Sequence, residues 1–217
     1  MKKIGITQRV EFFPKINESR DCLDRRWHSF LRDIDLIGIA LPNCPSTVKE
    51  YLSSIELSGF LLTGGNDLSD LPDPRNNSEE RDKSEKAILE QAKITGLPVV
   101  GVCRGFQYMN VFLGGSLSRV SGHVAEKHQI TLKNKFARIR DSKIHVNSFH
   151  EWAIHESDLA TDLIPLAVAS DGTIEAAYHR SLRWLGIMWH PERSLSEIDN
   201  HLFNFVYNPR VNAAWFE

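Results

Sequence analysis

Cysteine 103 stands between two glycines in Gly101-Val102-Cys103-Arg104-Gly105, directly after an apolar run and before an apolar helical stretch. This is the pattern of a nucleophile elbow with cysteine in the serine position. Flanking glycines permit the strained strand-to-helix turn, and the turn exposes the sulfur while aiming the positive end of the helix at it. A helix N-terminus favours thiolate, the attacking form, over thiol. The plainer meaning of a cysteine is a small buried apolar residue, and that is expected of Cys22 and Cys44. A thiol nucleophile needs a base, and Gly186-Ile187-Met188-Trp189-His190-Pro191-Glu192 offers one. His190 just past a strand end can reach the elbow across a sheet, and Glu192 can hold the imidazole in the right tautomer and stabilise its cation. The third element is Leu61-Leu62-Thr63-Gly64-Gly65-Asn66-Asp67. An oxyanion needs backbone N–H donors that no side chain obstructs, so the amides of Gly65 and Arg104 are the expected hole. A strand-terminating turn is the commoner meaning of Gly-Gly.

These segments fall where the elements should end. Strands are expected at 3–7, 35–40, 59–62 and 98–102, separated by helices at about 23–33, 46–54 and 77–96. Asn77 with Glu80 is the expected capping box of the last of these, and Gly96 with Pro98 its end. Short apolar strands alternating with helices imply a parallel sheet covered on both faces, with ligands beyond the carboxyl ends of the strands. The last third reads differently, with β-like runs at 129–132, 136–140, 164–169, 174–178 and 184–188 and a final helix at about 197–206. The fold class is therefore α/β, one domain over 1–217, with a mostly parallel central sheet and added antiparallel strands in the C-terminal third.

Composition excludes several classes. A 41% apolar share, 25% charged share and net charge of −2 lack the basic excess that phosphate backbones demand, so nucleic acid is not an expected partner. Apolar runs such as 36–41 and 97–102 are strand-length, far below the roughly 20 residues of a membrane span. The N-terminus lacks the apolar region of a signal peptide. Three widely spaced cysteines suit a reducing compartment, and a cytoplasmic location is expected.

Thr-Gly-Gly-Asn-Asp, Gly-Val-Cys-Arg-Gly-Phe-Gln, Val146-Asn147-Ser148-Phe149-His150 and Trp-His-Pro-Glu together resemble the class I glutamine amidotransferase superfamily. The likeness extends over nearly the whole chain and is greatest to the peptidase C26-like γ-glutamyl hydrolase branch, which includes the bacterial γ-glutamyl-γ-aminobutyrate hydrolases. It implies a flavodoxin-like three-layer sandwich and a triad at Cys103, His190 and Glu192. It further implies that Gln107 and the Asn147, Ser148, Phe149 and His150 segment hold the glutamyl group. Arg104 after the nucleophile, Arg81-Asp82-x-x-Glu85 and Ile174-Glu175-Ala176 look like the hydrolase branch, whereas Met188 stands where the family often has glutamine.

The reaction implied is hydrolysis of a γ-glutamyl amide through a thioester, with no cofactor. Family members act on γ-glutamyl-aminobutyrate, polyglutamyl chains and γ-glutamyl-linked nucleotide phosphoramidates of capsule synthesis. A glutaminase subunit feeding ammonia to a separate synthetase, and a catalytically silent binding module, are the alternative readings. The charged segment 20–27 is either a solvated helix face or a rim that meets substrate, with Arg25 suited to an anionic leaving group. His123 with His128, or His145 with His150, has no accompanying cysteine pair or His-Glu-x-x-His arrangement, so no metal is expected.

Overall fold

The computed structural model describes residues 1–133 and 143–208. Strands β1 (Lys2–Ile6), β2 (Arg9–Phe13) and β3 (Glu18–Cys22) precede helix α1 (Arg26–Asp33). Then β4 (Leu36–Ala40), α2 (Pro45–Ser54), β5 (Phe60–Leu62), α3 (Glu79–Thr95), β6 (Val99–Val102) and α4 (Arg104–Phe112) alternate. The remainder is β7 (Ser118–Arg119), β8 (Val124–Leu132), β9 (Lys143–Phe149), β10 (Trp152–Ala153), β11 (Leu163–Ala169), β12 (Ile174–His179), β13 (Trp184–Ile187) and α5 (Glu197–Tyr207).

Among the described residues, nine strands form one sheet in the order β4-β1-β5-β6-β13-β12-β11-β8-β9. The first five run parallel and the rest antiparallel. Within the parallel half the order is that of the flavodoxin-like doubly wound sheet, as the sequence implied. Every residue of β5, β6 and β13 is buried, as strands covered on both faces must be. Trp27, Phe30 and Leu31 of α1 pack with Leu202 and Phe203 of α5 in one apolar layer. Val48 of α2 and Ile88 and Leu89 of α3 pack in another. No helix among the described residues is long and apolar enough to cross a membrane.

Four local expectations are corrected. Residues 9–22 form a two-stranded hairpin whose second strand is almost wholly exposed, so neither an apolar stripe nor an alternation announces it. Helix α1 begins only at Arg26. Helix α3 is capped by Ser78, whose Oγ accepts from Arg81 N–H at 3.3 Å, rather than by Asn77 with Glu80. That one-residue shift puts Arg81 at the third helical position, from which its side chain enters the core. Cys44 is exposed at the N-cap of α2, where hydrogen bonds from Ser46 and Thr47 draw its thiol down to about 7. The expected run at 136–140 lies outside the described residues.

The carboxyl ends of β1, β5, β6 and β13 meet on one rim of the sheet, and α4 is seated unusually close to it. A Cβ on Gly105 would stand 2.2 Å from Leu62 O, a backbone atom that cannot swing aside. Gly105→Ala should therefore cost about 3 kcal/mol or more of unfolding free energy in urea; a variant with unchanged midpoint would show that α4 can lift off β5 freely.

Candidate active site

Cys103 joins β6 to α4 with φ 52° and ψ −110°, a conformation that side chains other than glycine rarely adopt. Such a residue stores roughly 1–3 kcal/mol of strain and persists only when its surroundings over-determine it. Here its N–H donates to Ile187 O at 2.8 Å, and its carbonyl accepts from Phe106 and Gln107 N–H at 3.0 Å. The strand on one side and the first turn of the helix on the other thus fix the sulfur-bearing carbon.

His190 is delivered by the end of β13 and held from both directions. Asn147 donates through Nδ2 to His190 O and accepts His190 N–H at Oδ1, both at 2.9 Å, pairing with the main chain as a neighbouring strand would. One residue earlier, Trp189 Nε1 donates to Asp199 Oδ1 at 2.7 Å, and Asp199 is part of the capping box that opens α5. So placed, the ring meets Glu192 Oε1 through Nδ1 at 2.8 Å and also hydrogen-bonds Cys103. Burial pulls the imidazolium toward neutrality, but the charge and hydrogen bond of Cys103, and then those of Glu192, hold it up at about 9. At neutral pH the ring is a cation with one N–H for each neighbour. The sequence-predicted Cys, His and Glu are brought together.

The Gly-Gly loop lies against this pair. A Cβ at Gly64 would be 2.7 Å from His190 Cε1 and 3.5 Å from Cys103 Cβ, so only glycine fits there. Gly65, at φ 82°, is covered by the Arg9 side chain from the hairpin. The loop is oriented from behind by Arg81, which is fully buried. Its guanidinium donates to Thr63 O at 2.7 Å, to Gly64 O at 3.2 Å and to Gly65 O. Three successive carbonyls are thereby drawn to one cation. Asn66 completes the loop: its Oδ1 accepts from Val10 N–H at 2.8 Å and from Arg81 at 3.0 Å.

Arg81 belongs to a buried charge network. Glu85, with no exposed surface, accepts from Arg81 Nε at 3.0 Å and from Arg104 Nη1, while Arg104 Nη2 reaches Asp82. Thr7, at the end of β1, also hydrogen-bonds Glu85. Burial pushes the Glu85 carboxyl up, yet Arg104 and Arg81 hold it below the ordinary carboxylate value. The Arg104 side chain thus turns into the protein, and only its backbone N–H is left for the site. In sequence Arg81, Asp82, Glu85 and Arg104 show only a likeness to the hydrolase branch; their contact across α3 and α4 is a tertiary fact that no local spacing displays.

The other expected substrate residues sort into two groups. Gln107 donates to Trp152 O at 2.8 Å, and Phe149 presents its ring to His190 edge-on at 5.8 Å. Ser148 is fully buried with its hydroxyl on His123 O at 2.8 Å, and His150 Nδ1 is 3.0 Å from Trp152 O, so both, like the amide nitrogen of Gln107, are engaged within the protein. Arg25 is exposed at the N-cap of α1, and the adjacent Arg26 is paired with Asp24 at 2.9 Å, whose hydrogen bond and charge, with a smaller contribution from Glu192, support its cation. Arg193, which the sequence reading passed over, lies 3.9 Å above the Phe149 ring and 3.7 Å from Glu192.

The family model described as Peptidase C26 matches residues 3–192. The chain is 32% identical over 214 residues to the gamma-glutamyl-CDP-amidate hydrolase of Campylobacter jejuni subsp. jejuni serotype O:2, covering 98% of this chain and 96% of that one. It is 31% identical over 207 residues to the protein NtpR of Enterococcus hirae, covering 81% and 84%. A glutamine amidotransferase from Thermotoga maritima, 16% identical, superposes with a TM-score of 0.63 over 97% of this chain and 87% of that one, a likeness of fold.

Removing the charge between two buried arginines tests the network. Glu85→Gln should lower the unfolding free energy by about 3–5 kcal/mol, because it leaves two cations facing each other out of water. Glu79→Gln, which breaks only the exposed pair with Lys83, should leave the urea midpoint in place; equal effects would deny the network its role.

Proposed function

The chain belongs to the Peptidase C26 family, and from that premise we propose that it hydrolyses the γ-amide bond of a γ-glutamyl-linked nucleotide phosphoramidate, releasing glutamate. The observation that carries this reading is the placement of His190 between Cys103 and Glu192, its Nδ1 2.8 Å from Glu192 Oε1, at the carboxyl ends of adjacent strands. The sulfur attacks the γ-carbonyl carbon, forming a C–S bond and an oxyanion that the Gly65 and Arg104 amides stabilise. His190 then gives its proton to the departing nitrogen as the C–N bond breaks. The neutral ring next takes a proton from water, whose oxygen attacks the thioester; the C–S bond breaks and glutamate leaves. Gln107 and Phe149 hold the glutamyl end, while Asn147, Ser148 and His150 fix the segment that carries Phe149.

An anionic leaving group is supported by the arginines at the mouth. Arg9, paired with Glu11, covers Gly65, and Arg193 stands on the Phe149 ring 3.7 Å from Glu192, so cations from two segments flank the triad. The printed name of the Campylobacter jejuni relative points to the same chemistry.

In a glutamate-release screen, a γ-glutamyl phosphoramidate of a nucleotide should be turned over faster than glutamine or an uncharged γ-glutamyl amine. Cys103→Ala should abolish every activity. Arg193→Ala should raise KM for the phosphoramidate by about tenfold, the worth of one charge-assisted hydrogen bond, and leave uncharged amides unchanged. Equal loss on both substrate types would remove Arg193 from leaving-group recognition.

The pH profile follows from His190. The imidazolium is the reactive acid, so kcat/KM should hold through neutral pH and fall as pH rises through about 9. Glu192 is one of the groups that raise this value, so Glu192→Gln should move the alkaline limb to lower pH; an unmoved limb would contradict the pairing.

A further inference from the structure

Outside the triad, three histidines converge on a buried carboxylate. Glu175 on β12 has no exposed surface, and both of its oxygens face histidine nitrogens. Around it stand His123, just before β8, His128 on β8, and His150, just after β9. His128 Nε2 is 3.2 Å from Glu175 Oε2, His150 Nε2 is 3.6 Å from Oε1, and His123 Nδ1 is 3.8 Å from Oε1. His123 Nδ1 and His150 Nε2 are themselves 3.3 Å apart.

The outer partners of the rings decide which nitrogens face inward bare. His123 Nε2 lies 2.8 Å from Asp171 Oδ2, and His150 Nδ1 lies 3.0 Å from the Trp152 carbonyl. A carboxylate and a carbonyl accept hydrogen bonds, so in the neutral rings those outer nitrogens carry the protons. The inner Nδ1 and Nε2 face each other and a carboxylate, so a cation at the centre, a proton or a metal ion, completes the arrangement. Histidine oriented by a carboxylate or backbone carbonyl through its far nitrogen is the usual outer shell of a metal ligand. The spacings agree as well. One nitrogen of His123, one of His128 and one Glu175 oxygen lie within 4.8 Å of one another, close to the ~3.3–3.4 Å ligand–ligand edges of tetrahedral coordination with ~2.0–2.1 Å metal–nitrogen bonds.

We propose that His123, His128 and Glu175 bind a divalent cation of the zinc class, with Asp171 and His150 beside them as its outer shell. Imidazole and carboxylate donors suit such an ion, and the half-buried His128 and the exposed Asp171 give it a path from solvent. No metal is expected from the sequence because the histidine pairs have no accompanying cysteine pair or His-Glu-x-x-His arrangement; the three ligands come from separate strands and a turn. The site is structural. It ties β12, whose Glu175 carbonyl accepts from Met188 N–H, to β8 and to the turn whose Trp152 carbonyl holds Gln107.

The test uses the full chain, stripped with a chelator and titrated with Co(II), with Zn(II) retention after gel filtration measured by elemental mass spectrometry. One ion per chain should be retained, and Co(II) should show the intense visible bands of tetrahedral coordination. Cys103→Ser should bind as well as the wild type, which separates this site from capture of the ion by Cys103 and His190. His128→Gln, at the half-buried position where folding is least at risk, should weaken Co(II) binding at least about tenfold. Glu175→Gln should do the same, with circular dichroism confirming a folded chain. No retained ion, loss of the ion in Cys103→Ser, or undiminished affinity in a folded His128→Gln variant would overturn the proposal.

Discussion

The buried Glu85 carboxylate is the contact on which the rest of the site depends. It lies between Arg81 and Arg104 and also meets Thr7. Through Thr7 it touches the end of β1, through Arg81 the loop after β5, and through Arg104 the elbow after β6. Three strand ends that the sheet merely brings near one another are thereby fixed in mutual position. A buried ion pair is a costly device, since desolvation consumes most of the attraction. Here its return is geometric: one guanidinium collects the carbonyls of three consecutive loop residues, and the other commits the residue after the nucleophile.

The strain at Cys103 makes sense in that setting. A cysteine at positive φ is sustained because its amide and carbonyl are both bonded and because Gly105 lets the helix press against β5. The same rigidity reaches the histidine, whose main chain is clamped by Asn147 and whose preceding tryptophan is tied to the start of α5. The cationic ring then needs no rearrangement to act as an acid. Electrostatic preorganisation of this kind lets a site do chemistry with little motion of its own.

Much of this was legible in the sequence, for a physical reason. Strand-end chemistry is local: Gly-x-Cys-x-Gly, Thr-Gly-Gly and His-Pro-Glu each occupy a few consecutive residues, and the apolar strands preceding them are short and unmistakable. The parallel order follows from alternation alone. What stayed hidden was either solvated or distant in sequence. The hairpin at 9–22 has no buried face to leave a period, and its approach to the Gly-Gly loop after β5 depends on Asn66 reaching Val10. The capping residue of α3 shifted by one because the core claims the Arg81 side chain. Asn147 has a family role written for substrate, yet its amide is engaged with the His190 main chain. The histidines around Glu175 come from β8, a turn and the end of β9, a juxtaposition fixed only by strand order.

The central claim is that Cys103 becomes acylated while His190 and Glu192 manage the proton. Rapid quenching of the enzyme with a γ-glutamyl substrate, followed by intact-mass and peptide analysis, tests it most directly. The expected result is a transient adduct with the mass of one γ-glutamyl group on the peptide bearing Cys103, formed and lost at rates compatible with turnover. Glutamate release with no such adduct at any quench time, or an adduct on another residue, would contradict it.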